Sequence, residues 1–319
     1  MIALWNLEPK CTNIALEKIH MYYQQRGESV VDYFPLEHHL YDKIYCSSLF
    51  DYTDKRQIPD NVICGGTGFD LTTTLPYEID AMKPKLNMGF TTRGCIRKCP
   101  FCVVPEKEGW IRETGDIYDF WDGKSKEIVI LDNNILAVKD HFKKICRQIK
   151  KEKLLVDFNQ GLDHRLLTND IADMLKSMRR KLYRFSFDSL KDENSVRKAI
   201  DILNKYEIKW SMWYVLTGYD TGPTEDLMRL ELLKVHKQRA YIQRYQGKTN
   251  PFLTELSGWV NKSQLFMKYT FDSFLETRGT KRKVNDFLRS DYANQNKHAN
   301  TKEYSQAREA GRAITSRGS

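Results

Sequence analysis

Between residues 85 and 248, short apolar runs alternate with helical stripes at a near-constant interval, and few folds accommodate that rhythm. The runs fall at 87–91, 127–131, 154–158, 182–187, 209–216 and 241–245. After the first interval their starts recur at roughly 30 residues, the length of one strand–helix unit. Glu127-Ile128-Val129-Ile130-Leu131 is almost wholly apolar, as befits a strand covered on both faces of a parallel sheet. The intervening segments carry apolar residues at i, i+3, i+4 and i+7: Phe142, Ile145, Cys146 and Ile149; then Ile171, Met174, Leu175 and Met178; then Val196, Ala199, Ile200 and Leu203. Cys146 therefore reads as a core residue. Six units are two fewer than a closed eight-unit barrel.

The first interval holds the chemistry. It contains Cys95, Cys99 and Cys102 in the spacing C-x3-C-x2-C. Three thiolates hold three irons of a cubane cluster and leave the fourth open to a ligand, whereas electron-carrying clusters take four cysteines. No fourth ligand follows closely; the next histidine is His141 and the next cysteine Cys146. A zinc ribbon asks for four ligands in two separated pairs, and only one such group exists. Seven cysteines is an odd number, and the start Met1-Ile2-Ala3-Leu4-Trp5 turns polar too soon for a signal peptide, so reduced thiols and a cytoplasmic location are expected.

This spacing resembles the cluster motif of the radical S-adenosylmethionine (SAM) enzymes. Phe101, just before the third cysteine, and the stretch Gly89-Phe90-Thr91-Thr92-Arg93-Gly94-Cys95 are similar to that family's first strand and cluster loop. The resemblance implies an α/β fold built as a partial (β/α)6 barrel, a [4Fe–4S] cluster on Cys95, Cys99 and Cys102, and SAM chelated to the open iron. It also implies a reductant such as flavodoxin or ferredoxin, whose electron splits SAM to a 5′-deoxyadenosyl radical that abstracts hydrogen from a substrate.

Residues 1–83 read as a separate Rossmann-like domain. Strands are expected at 2–5, 30–34, 44–46 and 61–64, with a helix capped by Thr12, carrying Ala15, Ile19, Tyr22 and Tyr23 on one face, and ended by Gly27. The domain resembles the cobalamin-binding domains that precede many radical SAM barrels, but it lacks their Asp-x-His-x-x-Gly motif. His38-His39 has no such flanks. A vestigial domain that covers the barrel or its substrate is expected, and Gly65-Gly66-Thr67-Gly68 reads as a plain tight turn.

After the barrel, 84–248, comes a helical extension over 249–290 and a tail over 291–319. The segment from Arg278 to Ser319 carries ten basic residues against four acidic ones, most of the chain's net charge of +9. The tail is expected to be frayed, with nucleic-acid contact through its basic residues possible in principle. No run of about 18 apolar residues exists, so no membrane span is expected.

Ligands of parallel α/β barrels meet the carboxyl ends of the strands. There the second run is followed by Asp132-Asn133-Asn134, where the resembled family places a short polar motif that receives SAM's amino group. A turn that caps the next helix is the alternative. The third run is followed by Gln160, Asp163, His164 and Arg165; an Asp163–Arg165 ion pair is the alternative to ligand contact. Ser186 and Asp188 end the fourth run; the aromatics at the ends of the fifth and sixth runs read as core residues, with rings flanking adenine as the alternative. Two other readings stay open. One is a methylthiotransferase-like enzyme with a second cluster on Cys11, Cys46 and Cys64; the other is an iron–sulfur nucleic-acid-binding or redox-sensing protein without SAM chemistry.

Overall fold

A computed structural model describes residues 1–279 and 283–290. The tail, and the frayed end and nucleic-acid contact expected of it, lie outside the described residues. The chain divides into two compact units, Met1–Asp132 and the part from Asn133 onward.

The first unit begins with β1 (Ile2–Asn6), α1 (Ile14–Gln25), β2 (Val30–Asp32), β3 (Lys43–Ser47) and β4 (Ile63–Gly65). These strands form one sheet in the order β2-β1-β3-β4, parallel throughout. A parallel neighbour requires a crossover, and α1 supplies it between β1 and β2. Alternation along β1 sends Ile2 and Leu4 to a cluster with Leu16, Ile19 and Tyr23 of α1, and Ala3 to a second cluster with Ile44, Cys46 and Val62. Both faces of the sheet are thus covered. The helix cap is Asn13 rather than Thr12: its Oδ1 accepts the Leu16 N–H at 3.2 Å. His38 stands in a 3-10 turn, Pro35–Leu40, not in an open loop. Its Nδ1 lies 3.0 Å from the Tyr33 hydroxyl and its Nε2 3.1 Å from Asn61 Oδ1.

The unit continues through α2 (Tyr77–Asp80), β5 (Met88–Gly89), β6 (Thr92–Arg93), α3 (Val104–Lys107), β7 (Arg112–Glu113) and β8 (Glu127–Ile130). β5 runs parallel to β8, with Met88 opposite Val129 and Gly89 opposite Ile130. β6 and β7 pair antiparallel. β5 is shorter than the expected 87–91. The Phe120 ring occupies the space a side chain at Gly89 would need, and beyond it the Thr91 N–H turns to the Asp132 carboxylate rather than to a sheet neighbour.

The second unit holds α4 (Lys139–Lys151), β9 (Leu155–Phe158), α5 (Asn169–Lys176), β10 (Arg184–Ser186), α6 (Glu193–Lys205), β11 (Met212–Thr217), α7 (Pro223–Val235) and β12 (Arg239–Arg244). β10, β11 and β12 pair parallel in sequence order. β9 meets the segment before β10 through a parallel bridge, Val156 to Arg180. Strand and helix therefore alternate as the spacing predicts, and the expected stripes are buried apart from Met174, which is half-buried. Burial pushes the Cys146 thiol up to about 12, as its core position requires.

Several strand boundaries differ from expectation: β2 stops at Asp32, β4 starts at Ile63 and β10 spans only Arg184–Ser186. β11 starts at Met212 because Trp210 takes a left-handed turn at φ 67°. β12 starts at Arg239 and ends before Tyr245, since Ala240 and Ile242 are the buried residues and Tyr241 faces out. The Tyr residues that suggested 241–245 are aromatic without being core. Four helices follow: α8 (Pro251–Val260), α9 (Ser263–Lys268), α10 (Phe271–Thr277) and α11 (Val284–Ser290). Phe252, Trp259, Phe266, Phe271 and Phe287 pack ring against ring among them. No helix among the described residues is long and apolar enough to cross a membrane.

Candidate active site

The three cysteines lie on the loop between β6 and α3, clear of the core. Cys95 and Cys99 are half-buried and Cys102 is exposed. The loop is shaped by its own backbone. The Cys102 N–H donates to the Cys99 carbonyl at 3.0 Å, which folds the Cys99–Cys102 segment into a turn. The Arg97 N–H points at Cys95 Sγ, 3.3 Å away. A backbone donor on sulfur stabilises a thiolate, the form that binds iron. The two ends of the loop are closed by the β6–β7 pair and by the Cys95 N–H, which donates to the Gly109 carbonyl at 3.2 Å.

Among the described residues, no three His, Cys, Asp or Glu side chains gather about one point as a single metal ion would need. A cubane makes a different demand. Each cysteine binds its own iron, so the three sulfurs stand apart around a volume. Three cysteines on one short loop, one of them already receiving an N–H, fit that donor set. Cys46 and Cys64 do not share its character. They sit opposite each other on β3 and β4, and burial raises both thiols, Cys46 to about 12.

Asp132 lies two residues beyond β8 and is buried. Its carboxylate accepts the Thr91 N–H at 2.6 Å, the Thr92 N–H at 3.0 Å and the Thr91 hydroxyl. Burial pushes this carboxyl above its usual range against the pull of those bonds. On the other side of the loop Glu108, with 11% of its side chain exposed, accepts the Gly94 N–H at 2.8 Å and pairs with Arg93 at 2.9 Å. Phe101 is half-buried beside Cys102.

In the second unit, polar residues at successive strand ends connect to one another. Asn134 Nδ2 donates to Asp163 Oδ2 at 3.2 Å. The Asp163–Arg165 ion pair is formed, at 2.8 Å, and Arg165 also reaches Asp192 at 3.8 Å. The Ser186 side chain bonds Asp188, whose Oδ1 accepts the Leu216 N–H at 3.3 Å; burial nevertheless raises Asp188. Asn133 is half-buried, and Gln160 is exposed on the turn after β9. Tyr219 and Tyr245 pack edge to face, with ring centres 4.8 Å apart.

No protein-family model matches the chain, and no curated protein matches it. A solved structure does. It is a radical SAM methyltransferase, TsrM, from Kitasatospora setae, with cobalamin and a [4Fe–4S] cluster bound. The match has a TM-score of 0.58 at 11% identity and covers 76% of this chain and 74% of that one. The chain shares its fold with that structure.

Sequence reasoning missed the residues that hold this architecture in place. Glu108 carries no signal beyond its nearness to the cysteines. Arg229 and Asp226 are missed too, although a charged pair three residues apart within Leu227, Leu230, Leu232 and Leu233 marks a buried ion pair. Neither side chain is exposed. Arg229 Nη1 donates to the Phe187 carbonyl at 2.7 Å, and Nη2 donates to the Leu216 carbonyl at 2.9 Å, the Thr221 hydroxyl and Asp226. One guanidinium thus ties together the ends of β10 and β11, next to Ser186 and Asp188.

Proposed function

We propose that this chain is a radical SAM enzyme. Cys95, Cys99 and Cys102 hold a [4Fe–4S] cluster in a partial (β/α)6 barrel over 84–248. The barrel follows a Rossmann-like domain over 1–83 and precedes a helical extension over 249–290. The observation that carries the reading is the cysteine loop, with its N–H-to-sulfur bond, inside a fold shared with a cluster-bearing enzyme of this type. When bound, the cluster supplies the electron that splits SAM to a 5′-deoxyadenosyl radical. A flavodoxin- or ferredoxin-class protein is the reductant in this reading.

The chain's own residues have the tasks of binding and orienting SAM. Phe101 would contribute to its binding from the cysteine loop. Asn133, Asn134 and Gln160 would offer amide oxygens to its ammonium group, which needs acceptors. Ser186 and Asp188, at and just after the end of β10, would add polar contacts to SAM. Asp132 was expected to share the ammonium, but its carboxylate already accepts three donors from Thr91 and Thr92 and is buried; its task is to hold the loop. The N-terminal domain supplies no histidine motif for cobalt, and both ring nitrogens of His38 are engaged, so no cobalt chemistry is assigned to it.

Iron analysis after anaerobic reconstitution tests the ligand set. Wild type is expected to hold about four irons per chain, one cluster, where a second cluster on Cys11, Cys46 and Cys64 predicts about eight. Cys99→Ala is expected to lose the cluster with unchanged circular dichroism, and Cys146→Ala to keep it. Retained iron in Cys99→Ala, or iron lost from Cys146→Ala, contradicts the assignment.

A further inference from the structure

We propose that Asp132 and Glu108 act as a two-carboxylate clamp that positions the cysteine loop for its cluster. The inference rests on the proposed cluster site. Three of the four backbone N–H groups from Thr91 to Gly94, the residues leading into Cys95, are bound by side-chain carboxylates instead of by a strand. Asp132 takes Thr91 and Thr92, and Glu108 takes Gly94. The two carboxylates come from separate places later in the sequence. Asp132 arrives from just beyond β8, some forty residues on; Glu108 arrives from the C-terminal end of α3, after the last cysteine.

The arrangement has a physical logic. A loop that presents three thiolates to one cluster must fix the direction in which its first cysteine leaves the sheet. Ladder bonds would carry the chain straight on. Carboxylates accept N–H groups from a bent segment, and such charge-assisted bonds are about twice as strong as neutral ones. Glu108 adds a second constraint through Arg93, so that the two residues immediately before Cys95 are held by one side chain. Asp132 and Glu108 are positioning residues: their bonds go to the backbone and side chains of residues 91–94.

Asp132→Asn and Glu108→Gln test this in the full chain. Each keeps the shape but replaces one accepting oxygen by an NH2 group, which then meets a donor: a Thr91 or Thr92 N–H at position 132, and the Gly94 N–H or the Arg93 guanidinium at position 108. Hydrogen exchange of the metal-free protein is expected to accelerate about tenfold in peptides covering 91–95, the loss of one charge-assisted bond, with peptides of β11 and α6 unchanged. In cluster-loaded protein, iron loss to a chelator is expected to quicken by a similar factor, and Glu108→Asp, too short to reach, is expected to behave as Glu108→Gln. Unchanged exchange at 91–95 overturns the clamp, as does acceleration spread evenly over the chain. The exchange experiment needs no cluster, so a wild-type chain that fails to bind iron refutes the proposed function without touching the clamp.

Discussion

Arg229→Ala is expected to destabilise the second unit by about 3–5 kcal/mol, the usual cost of removing one partner of a buried ion pair. Its side chain has no solvent exposure, so nothing replaces it. The substitution leaves Asp226 buried without its cation and takes the donors from the Phe187 and Leu216 carbonyls. Burial already pushes the Asp226 carboxyl up, with Arg229 as the main opposing influence; without Arg229 that group takes up a proton. A double variant, Arg229→Met with Asp226→Leu, separates the two contributions. An ion pair can be exchanged for apolar residues at little cost. Two carbonyls that lose their donors cannot be repaired that way, and each costs about 1–3 kcal/mol. The double variant is therefore expected to recover only part of the loss. Urea denaturation of the metal-free protein measures both. A single-variant loss below about 1 kcal/mol, or full recovery in the double variant, would show that the guanidinium is not holding the ends of β10 and β11.

Gly94→Ala is expected to stop the chain from holding a cluster while sparing the rest of the fold. Gly94 has φ +83°, where a residue with a side chain costs about 1–2 kcal/mol. The added methyl would also lie 2.5 Å from the Trp110 carbonyl oxygen and 2.6 Å from that of Gly109. Both are backbone atoms, so no rotamer change relieves the contact. The return segment must move, and with it the Cys95–Gly109 bond and the Arg93–Arg112 pairing that close the loop. Retention of iron is expected to weaken at least about tenfold, since each 1.4 kcal/mol is a factor of ten. Circular dichroism is expected to stay at wild-type values. Wild-type iron content in Gly94→Ala would mean that the closed loop is not needed for the cluster.

Much of the fold is legible from residue spacing because its signals are local. Ile128 and Ile130 mark β8, and Phe142, Ile145 and Ile149 mark α4, within a few residues of each other. The cysteine loop is legible for the same reason. Where neighbouring residues compete, spacing does not decide. Thr12 and Asn13 are both good caps, and the packing of Leu16 and Ile19 on β1 selects Asn13. β12 was read two residues late because strand propensity favours Tyr241 and Tyr245, while burial of Ala240 and Ile242 sets the register. The support of the site was the least legible part. Asp132 meets Thr91 forty-one residues away, and Arg229 meets Phe187 forty-two residues away. A carboxylate at a strand end looks the same in sequence whether it awaits an ammonium group or is already bound by backbone N–H groups.

The most direct test of the central claim is product analysis. Protein reconstituted without oxygen to about four irons per chain is reduced, mixed with SAM and assayed for 5′-deoxyadenosine. Radical SAM chemistry predicts 5′-deoxyadenosine from wild type and none from Cys99→Ala. An intact, reduced cluster that yields none with SAM present would contradict it.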